Sequence, residues 1–197
     1  MLTIYGTKQS RAGRCLWALE EFGLAYQHNP VTPHTGGTRT AAYLKLNPLG
    51  KVPTLTDGDF ILTESVAICY YLASLQPTPL WPDDLQARAR IYQWSSWATT
   101  ELEFHLTMWI REKRGNADAA LMTKYLENAA VSLTPLERHL AASAYAAGAT
   151  FTIGDINAAS ALAMGAALLD MSAFPAAKSW LDKCLARPAW QKVQTLG

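Results

Sequence analysis

The sequence has little of several features that mark particular classes of protein. Its 17 Lys and Arg residues face 16 Asp and Glu residues, a formal net charge of +1, with no long run of like charge. Nucleic-acid binding through phosphate neutralisation needs a basic surface, so this balance argues against it. No apolar run reaches the roughly 18 residues that a membrane-spanning helix needs. No basic segment precedes an apolar one at the N-terminus, so we expect neither a membrane segment nor a signal peptide.

Cysteine is also scarce. The 197 residues include three cysteines, Cys15, Cys69 and Cys184, which lie far apart and form no C-x-x-C pair. An odd, scattered set fits a reducing compartment better than a disulfide framework, so we expect a cytoplasmic protein. The four histidines are scattered too and offer no metal-ligand spacing. We therefore expect neither a metal nor a prosthetic group.

The chain has enough apolar residues for a packed core, and its two halves differ in their pattern of predicted elements. Half of the residues are hydrophobic and 17% are charged. Residues 1–76 alternate strand-like and helix-like segments in the order β-α-β, a loop with a short helix, then β-β-α. The pair Asp57-Gly58 between two apolar runs is a strong hairpin signal. The pattern predicts a mixed sheet with helices on its faces.

The second half has no strand pattern. Residues 77–83 contain three prolines and are predicted to be a linker. Residues 84–197 follow helical spacing and are predicted to form an all-helical domain. Within this half, Pro135 is expected to kink a helix or to restart it.

Four local patterns, in this order and spacing, resemble the glutathione S-transferase family. The resemblance implies an α/β thioredoxin-like N-terminal domain, an all-α C-terminal domain, and a homodimer that uses glutathione as a co-substrate in detoxification. It covers essentially the whole chain. The patterns are YGTKQS at residues 5–10 followed by Arg14, NPLGKVPTL at 47–55, LTESVAI at 62–68, and FTIGDI at 151–156.

The pair Val52-Pro53 has two interpretations. A proline often simply opens a strand. The resemblance implies a cis peptide bond instead, so that the backbone N–H and C=O of Val52 face outward. The cysteinyl part of glutathione would then pair with them like an added strand.

Glu64 and Ser65 stand at the start of a predicted helix. Such a pair can merely cap the helix. A helix N-terminus also offers free N–H groups and partial positive charge to a carboxylate. Ser65 adds a hydroxyl donor, and Glu64 can accept from an ammonium group. The pair therefore fits a γ-glutamyl group, which carries both charges.

Ser10 follows the first strand and precedes the first helix, so it is both a capping residue and the predicted catalytic residue. A hydroxyl there can donate to the glutathione thiolate and lower its pKa. Tyr5 and Thr7 are alternatives, because family members use Tyr, Ser or Cys in this region. Cys15 is predicted to be structural, since the cysteine-type members carry their thiol where Ser10 stands.

The glycine carboxylate of glutathione has three candidate partners: Lys51, His34 and Arg39. Lys51 matches a family position, whereas His34 and Arg39 lie in an irregular loop. The family often has His or Gln where Gly50 stands, and this departure removes one carboxylate contact.

In the C-terminal half, the resemblance implies that one helix lines a pocket for the electrophile. Thr152 and Asp155 are predicted to form a capping box with a structural role. A dimer surface is expected from Tyr70, Tyr71 and the early part of helix 84–106, with Glu101 approaching the γ-glutamyl ammonium bound to the other subunit. The predicted pocket residues are Phe104, His105, Met108 and Trp109.

The predicted function is a glutathione transferase that activates the glutathione thiolate for attack on a small hydrophobic electrophile. One alternative is a glutathione-dependent isomerase, peroxidase or dehalogenase that uses the same site. Another is a binding protein of the same fold without catalysis, because a fold alone does not establish an activity.

Overall fold

The first strand, β1 (Leu2–Tyr5), shows the alternation that defines a half-buried strand. Leu2 and Ile4 are buried on one face, whereas Thr3 and Tyr5 are partly exposed on the other. A turn leads to helix α1 (Ala12–Glu21), whose residues from Ala12 to Leu19 are all buried. The N-terminal core therefore forms between one face of the sheet and this helix.

The computed structural model describes residues 1–196, and they divide into two compact units. The first comprises Met1–Trp81 together with the chain from Ala186 onward, and the second comprises Pro82–Leu185. No helix among residues 1–196 is both long and apolar enough to cross a membrane.

The first unit contains a four-stranded sheet with the order β2-β1-β3-β4. Strand β1 pairs in parallel with β2 and antiparallel with β3, and β3 pairs antiparallel with β4. The mixed sheet and the order of elements that the sequence predicts are confirmed. The elements after α1 are β2 (Tyr26–Asn29), α2 (Ala41–Leu46), β3 (Thr54–Asp57), β4 (Phe60–Thr63) and α3 (Ser65–Ser74).

The hairpin between β3 and β4 turns where the sequence indicates. Asp57 is paired with Phe60 across the turn, and Gly58 adopts φ +57°. A side chain is strained in this left-handed region, which is why glycine suits the turn.

The second unit is entirely helical over its described elements, as predicted. A short π-helical segment, Ala98–Leu102, joins the first two helices. The helices are α4 (Leu85–Trp97), α5 (Glu103–Arg114), α6 (Ala119–Leu140), α7 (Ile153–Ala163) and α8 (Pro175–Leu185).

Of the two outcomes expected for Pro135, a kink or a restart of the helix, the restart is wrong. The helix runs unbroken from Ala119 to Leu140 with Pro135 inside it, so the chain does not restart there. Glu137 does not cap its own helix either. Its two carboxylate oxygens accept from the backbone N–H groups of Ala176 and Ala177, at 3.0 and 2.8 Å, in the first turn of α8.

The predicted C-terminal domain, residues 84–197, extends beyond the second unit, which ends at Leu185. Helix α9 (Pro188–Thr195) belongs to the first unit, where it packs on α1. The rings of Trp17 and Trp190 lie 4.8 Å apart. The sequence gives no local sign that α9 packs on the first unit, because the residues of α1 that it contacts are distant in the chain.

Candidate functional site

The turn between β1 and α1 fixes the Ser10 hydroxyl at the start of α1. The backbone N–H of Ser10 donates to the Thr7 carbonyl oxygen at 3.0 Å. The Ser10 Oγ donates to the same oxygen at 2.7 Å and accepts from the Ala12 N–H at 3.1 Å. A bound thiolate would compete with the Thr7 carbonyl for the single hydroxyl hydrogen, which can rotate.

Gly6 brings two distant sequence motifs together. Its φ is +129°, and a Cβ built there would lie 3.4 Å from Ser10 Oγ, 3.0 Å from Val52 Cβ and 2.6 Å from Ala12 Cβ. Ser10 Oγ and Val52 Cβ therefore both lie close to the space that a side chain at Gly6 would occupy. Gly6 was not among the site residues predicted from the sequence. The available signal was a glycine directly after a strand, where a close backbone approach is common.

The peptide bond between Val52 and Pro53 is cis, as the resemblance implies. The backbone beside it is held by two side chains that were not predicted as site residues. The Lys51 carbonyl accepts from the Tyr43 hydroxyl at 2.7 Å and from Asn47 Nδ2 at 2.9 Å. Helix α2 and the segment after it thereby fix the backbone at Val52.

Glu64 and Ser65 lie where the sequence places them, at the N-terminus of α3. Glu64 is exposed and adopts φ +70°, an unusual conformation for a residue with a side chain. Such a residue stores roughly 1–3 kcal/mol of strain, and strain of this kind clusters at functional sites. Ser65 is buried, and its Oγ accepts a hydrogen bond from Arg14 Nη1 at 3.4 Å.

Arg14 adds a positive charge to this N-terminus. It is only 3% exposed, so its guanidinium acts in a poorly solvated environment where charge interactions are strong. Together with the free N–H groups of the first turn of α3, it makes the surroundings of Ser65 favourable for an anion.

All three cysteines are buried thiols, and the burial of Cys15 agrees with its predicted structural role. Cys15 Sγ lies 3.5 Å from the Ser65 carbonyl oxygen, to which it donates. Burial raises the pKa of the Cys15 thiol well above its ordinary value, and the neighbouring Cys69 raises it further. A thiol that resists ionisation is a poor nucleophile.

Lys51, His34 and Arg39, the three candidate partners for the glycine carboxylate of glutathione, differ in their surroundings. A Cβ built at Gly50, whose φ is +59°, would lie 2.8 Å from Arg39 Nη1. The Arg39 guanidinium thus occupies the space above Gly50, next in the chain to the exposed Lys51. His34 lies in the exposed 3₁₀ turn Pro33–Thr35, where its N–H donates to Thr32 Oγ1.

The four predicted pocket residues lie on α5 in the second unit. Phe104 is 50% exposed, and the other three are partly buried. The His105 ring centroid lies 5.3 Å from that of Phe104 and 6.5 Å from that of Tyr125. Lys113 Nζ lies 4.9 Å from the centre of the Trp109 ring. The helix therefore carries an aromatic, mixed-polarity surface formed by Phe104, His105, Met108 and Trp109.

The other residues selected for a dimer surface make contacts within their own units. The Tyr71 hydroxyl donates to Asp57 at 2.8 Å, and this hydrogen bond raises the pKa of Tyr71. The rings of Tyr70 and Trp81 lie 5.3 Å apart. Glu101 is exposed in the π-helical segment.

Over residues 1–196, no three His, Cys, Asp or Glu side chains gather as metal ligands would.

Comparison with known proteins extends these observations. The family model for the N-terminal domain of glutathione S-transferase matches residues 1–74, and that for its C-terminal domain matches residues 97–188. Glutathione S-transferase 3 of Zea mays is 36% identical over 205 residues, covering 97% of this chain and 92% of the relative. Elongation factor 1-gamma 2 of Oryza sativa subsp. japonica is 32% identical over 195 residues, covering 95% of this chain but only 47% of that longer protein.

A solved structure matches over the whole chain. It is the theta class glutathione S-transferase from Xanthomonas axonopodis pv. citri, with glutathione bound. It has a TM-score of 0.89 at 30% identity and covers 100% of this chain and 98% of that one.

Proposed function

The chain is an enzyme of the glutathione S-transferase family, and we propose that its Ser10 hydroxyl stabilises the thiolate of glutathione for attack on a small hydrophobic electrophile. The observation that carries this proposal is that Ser10 Oγ and Val52 Cβ lie beside the same point, 3.4 and 3.0 Å from where a Cβ at Gly6 would be. A tripeptide paired with the Val52 backbone would bring its cysteinyl sulfur toward the Ser10 hydroxyl.

The remaining parts of glutathione find chemically matched groups in the same unit. The γ-glutamyl carboxylate would meet Ser65 and the N-terminus of α3, with the buried Arg14 behind them. The γ-glutamyl ammonium would meet Glu64. The glycine carboxylate would meet Arg39, whose guanidinium lies over Gly50, and Lys51. We rank Arg39 above His34, because only Arg39 has a contact that puts it beside the Asn-Pro segment.

The chemistry needs no group beyond glutathione itself. A free thiol ionises near pH 8.5, so most of it is protonated at neutral pH. A hydrogen bond to the thiolate and the positive end of α1 lower that pKa. The thiol proton leaves to solvent, the sulfur forms a bond to the electrophilic carbon, and the leaving group departs with the electrons of the bond that breaks. Residues Phe104, His105, Met108 and Trp109 would hold the electrophile.

Two further properties belong to the same proposal. We place the protein in the cytoplasm, in keeping with three buried cysteine thiols, and assign it a role in detoxification. We also propose a homodimer that uses Tyr70, Tyr71 and α4, with Glu101 facing the site of the other subunit.

An alternative function is supported by one specific observation. The match to elongation factor 1-gamma spans nearly all of this chain and about half of a longer protein. A unit of this fold can therefore form part of a protein whose name indicates another role. Retention on immobilised glutathione together with turnover of a chloronitrobenzene substrate would support the transferase. Absence of both would favour a non-catalytic binding module. Retention without turnover of the chloronitrobenzene would favour another glutathione-dependent enzyme if the protein turns over an isomerisable substrate, a peroxide or a halogenated substrate that loses its halogen.

The proposed role of Ser10 is tested by the substitution Ser10→Ala. We expect it to raise the pKa of bound glutathione and leave its affinity nearly unchanged, because most of the ligand is bound elsewhere. Activity at neutral pH should fall, and it should recover as the pH is raised toward the pKa of the free thiol. The measurement is the ultraviolet thiolate absorbance of the binary complex against pH.

The variants Thr7→Val, Tyr5→Phe and Cys15→Ala serve as comparisons in the same titration. A parent-like titration of Ser10→Ala, with a shift in one of these three, would move the role to that residue. If none of the four shifts, the backbone N–H groups and the dipole of α1 stabilise the thiolate without a side chain.

A further inference from the structure

We infer that Lys8 is a positioning residue that holds the Ser10 turn against the end of α9, so that the C-terminal helix sets the place of the Ser10 hydroxyl. The inference rests on the proposed role of Ser10. It concerns residues of the first unit alone, and it gives the returning helix α9 a function in the reaction.

The contact itself is specific. Lys8 Nζ donates to the Gln194 carbonyl oxygen at 2.7 Å and also to the Leu196 carbonyl oxygen. The last carbonyl groups of a helix lack partners within the helix and carry partial negative charge. A lysine ammonium satisfies both requirements, because it offers three donors and a full positive charge.

Lys8 lies within the turn that carries Ser10. Thr7 and Ser10 bracket it, and they are joined by the two hydrogen bonds to the Thr7 carbonyl described above. On the opposite side, the Lys8 carbonyl oxygen lies against α1: a Cβ built at Gly13 would come within 2.4 Å of it. The turn is thus held between α1, through the Lys8 backbone, and α9, through the Lys8 side chain.

Helix α9 is itself fixed to α1 near both ends. Arg187 donates to both carboxylate oxygens of Glu21, at 2.6 and 2.7 Å. Lys192 Nζ lies 2.7 Å from Glu20 Oε2. The side chains of Glu20 and Glu21 are only 10% and 7% exposed. Bidentate pairs with a poorly exposed carboxylate constrain geometry more than surface ion pairs do.

These contacts close a ring that runs from α1 through the turn and Lys8 to α9, and back to α1. Hydrogen bonds weaken steeply once their length and angle depart from the optimum. A displacement of about 1 Å in a catalytic group can cost about 100-fold in rate. Loosening the ring should therefore weaken the bond from Ser10 to the thiolate before it affects the affinity for the rest of glutathione.

The test is the thiolate titration of bound glutathione in Lys8→Met. We expect its pKa to rise in the same direction as in Ser10→Ala but by less, roughly 0.5 to 1 unit. That shift converts to a threefold to tenfold lower kcat below the thiolate pKa. KM for glutathione should change little. Lys8→Arg keeps the charge and the donors and should restore most of the parent titration.

Two controls separate anchoring from the charge of Lys8. The double variant Arg187→Gln/Lys192→Gln keeps Lys8 but releases α9 from α1, so it should raise the thiolate pKa as well. Combining it with Lys8→Met should add little, because both act on the same ring. Lys45→Met removes an exposed lysine of α2 in the same unit and should titrate like the parent.

The outcomes are distinguishable. If Ser10→Ala does not shift the titration, the proposed role of Ser10 fails and this inference fails with it. If Ser10→Ala shifts and Lys8→Met titrates like the parent, only the inference is overturned. A shift in Lys8→Met without one in the α9 double variant would overturn it too, since Lys8 would then act through its charge. Circular dichroism and thermal unfolding identify any variant that does not fold, and Lys8→Arg and the double variant then carry the test.

Discussion

Ser65 illustrates how a single residue can serve the fold and the proposed site at once. It is 5% exposed, and its hydroxyl accepts from a guanidinium that is itself buried. Its position at the first residue of α3 leaves its own N–H among the unpartnered donors of the helix. A buried polar environment with donors to spare is suited to an anion rather than to water.

Replacing Ser65 by alanine should weaken glutathione binding. Loss of a hydrogen bond to a charged group is worth roughly 1.5–3 kcal/mol, so the dissociation constant should rise by about 10-fold to 100-fold or more. Calorimetric titration with glutathione measures it. Ser74→Ala is the matched control, because Ser74 lies in the same helix and its hydroxyl donates to the Tyr70 carbonyl oxygen. An unchanged constant in Ser65→Ala would remove Ser65 from the γ-glutamyl site.

Asp155 shows the opposite case, a fully buried carboxyl group with a structural role. It accepts from the N–H groups of Ala146 and Thr152, from the Thr152 hydroxyl and from Trp180 Nε1, at distances from 2.7 to 3.1 Å. Burial nevertheless raises the pKa of Asp155, although these hydrogen bonds lower it in part. The capping box that the sequence predicts with Thr152 is confirmed.

The raised pKa has a definite consequence for stability. Above its ordinary pKa, the folded protein holds this proton more firmly than the unfolded chain does, so the contribution of Asp155 decreases as the pH rises through the folded-state value. Asp155→Asn does not titrate and sets an amide group against the donors, costing about 1–3 kcal/mol. The difference in unfolding free energy between parent and variant should therefore shrink from pH 4 to pH 7 in urea titrations. A difference that grows with pH would contradict this assignment.

At the scale of whole elements, a helix end can be capped by its own neighbouring residue or by a side chain from a distant element. Thr152 caps α7 from the adjacent position, as its sequence indicates. The first turn of α8 is instead capped by Glu137 on α6. Local sequence identifies the first kind of cap, whereas the second depends on how two helices pack.

Pro135 is an element-scale weakness that can be removed. It lies inside α6 with an exposed side chain, and it lacks the N–H that would otherwise bond to residue 131. Because a proline inside a helix costs up to about 3 kcal/mol, Pro135→Ala should stabilise the protein by about 1–3 kcal/mol. Thermal unfolding would register this as a higher Tm. A lower Tm would mean that the packing around α6 requires the proline backbone.

At the scale of the whole molecule, chain connectivity and structural units do not coincide. The chain leaves the first unit after Trp81 and returns to it at Ala186. Cutting off α9 would expose the Trp17 ring and leave Glu20 and Glu21, poorly exposed carboxylates, without their cations. The C-terminal segment is therefore part of the unit that carries the proposed glutathione site.

The proposed assembly is tested on the intact protein. We expect light scattering at micromolar concentration to give twice the chain mass of 21.6 kDa. Substituting Glu101 by glutamine should leave the mass unchanged and weaken glutathione binding if Glu101 reaches the site of the other subunit. A monomer mass would refute the dimer and leave the proposed glutathione site of the first unit intact.

Most of the fold was predictable because its signals are local. The order of elements, the Asp57-Gly58 hairpin and the Thr152 capping box each depend on residues a few positions apart. The cis peptide bond before Pro53 and the proposed glutathione site were both inferred from the family resemblance. Tyr43, Asn47 and Gly6 were not selected, because each acts on residues that periodicity and motif spacing do not connect to it.

The sequence by itself determined the architecture of the two halves, since helical and strand periodicity, turn residues and caps act over short distances. Only the tertiary structure decided which distant groups meet: Ser10 with Val52 at Gly6, Arg39 over Gly50, and α9 against α1. These contacts result from close packing of surfaces that are complementary only once the elements have formed. The hydrophobic pattern and the charges within one segment do not show which distant surface will fit against it.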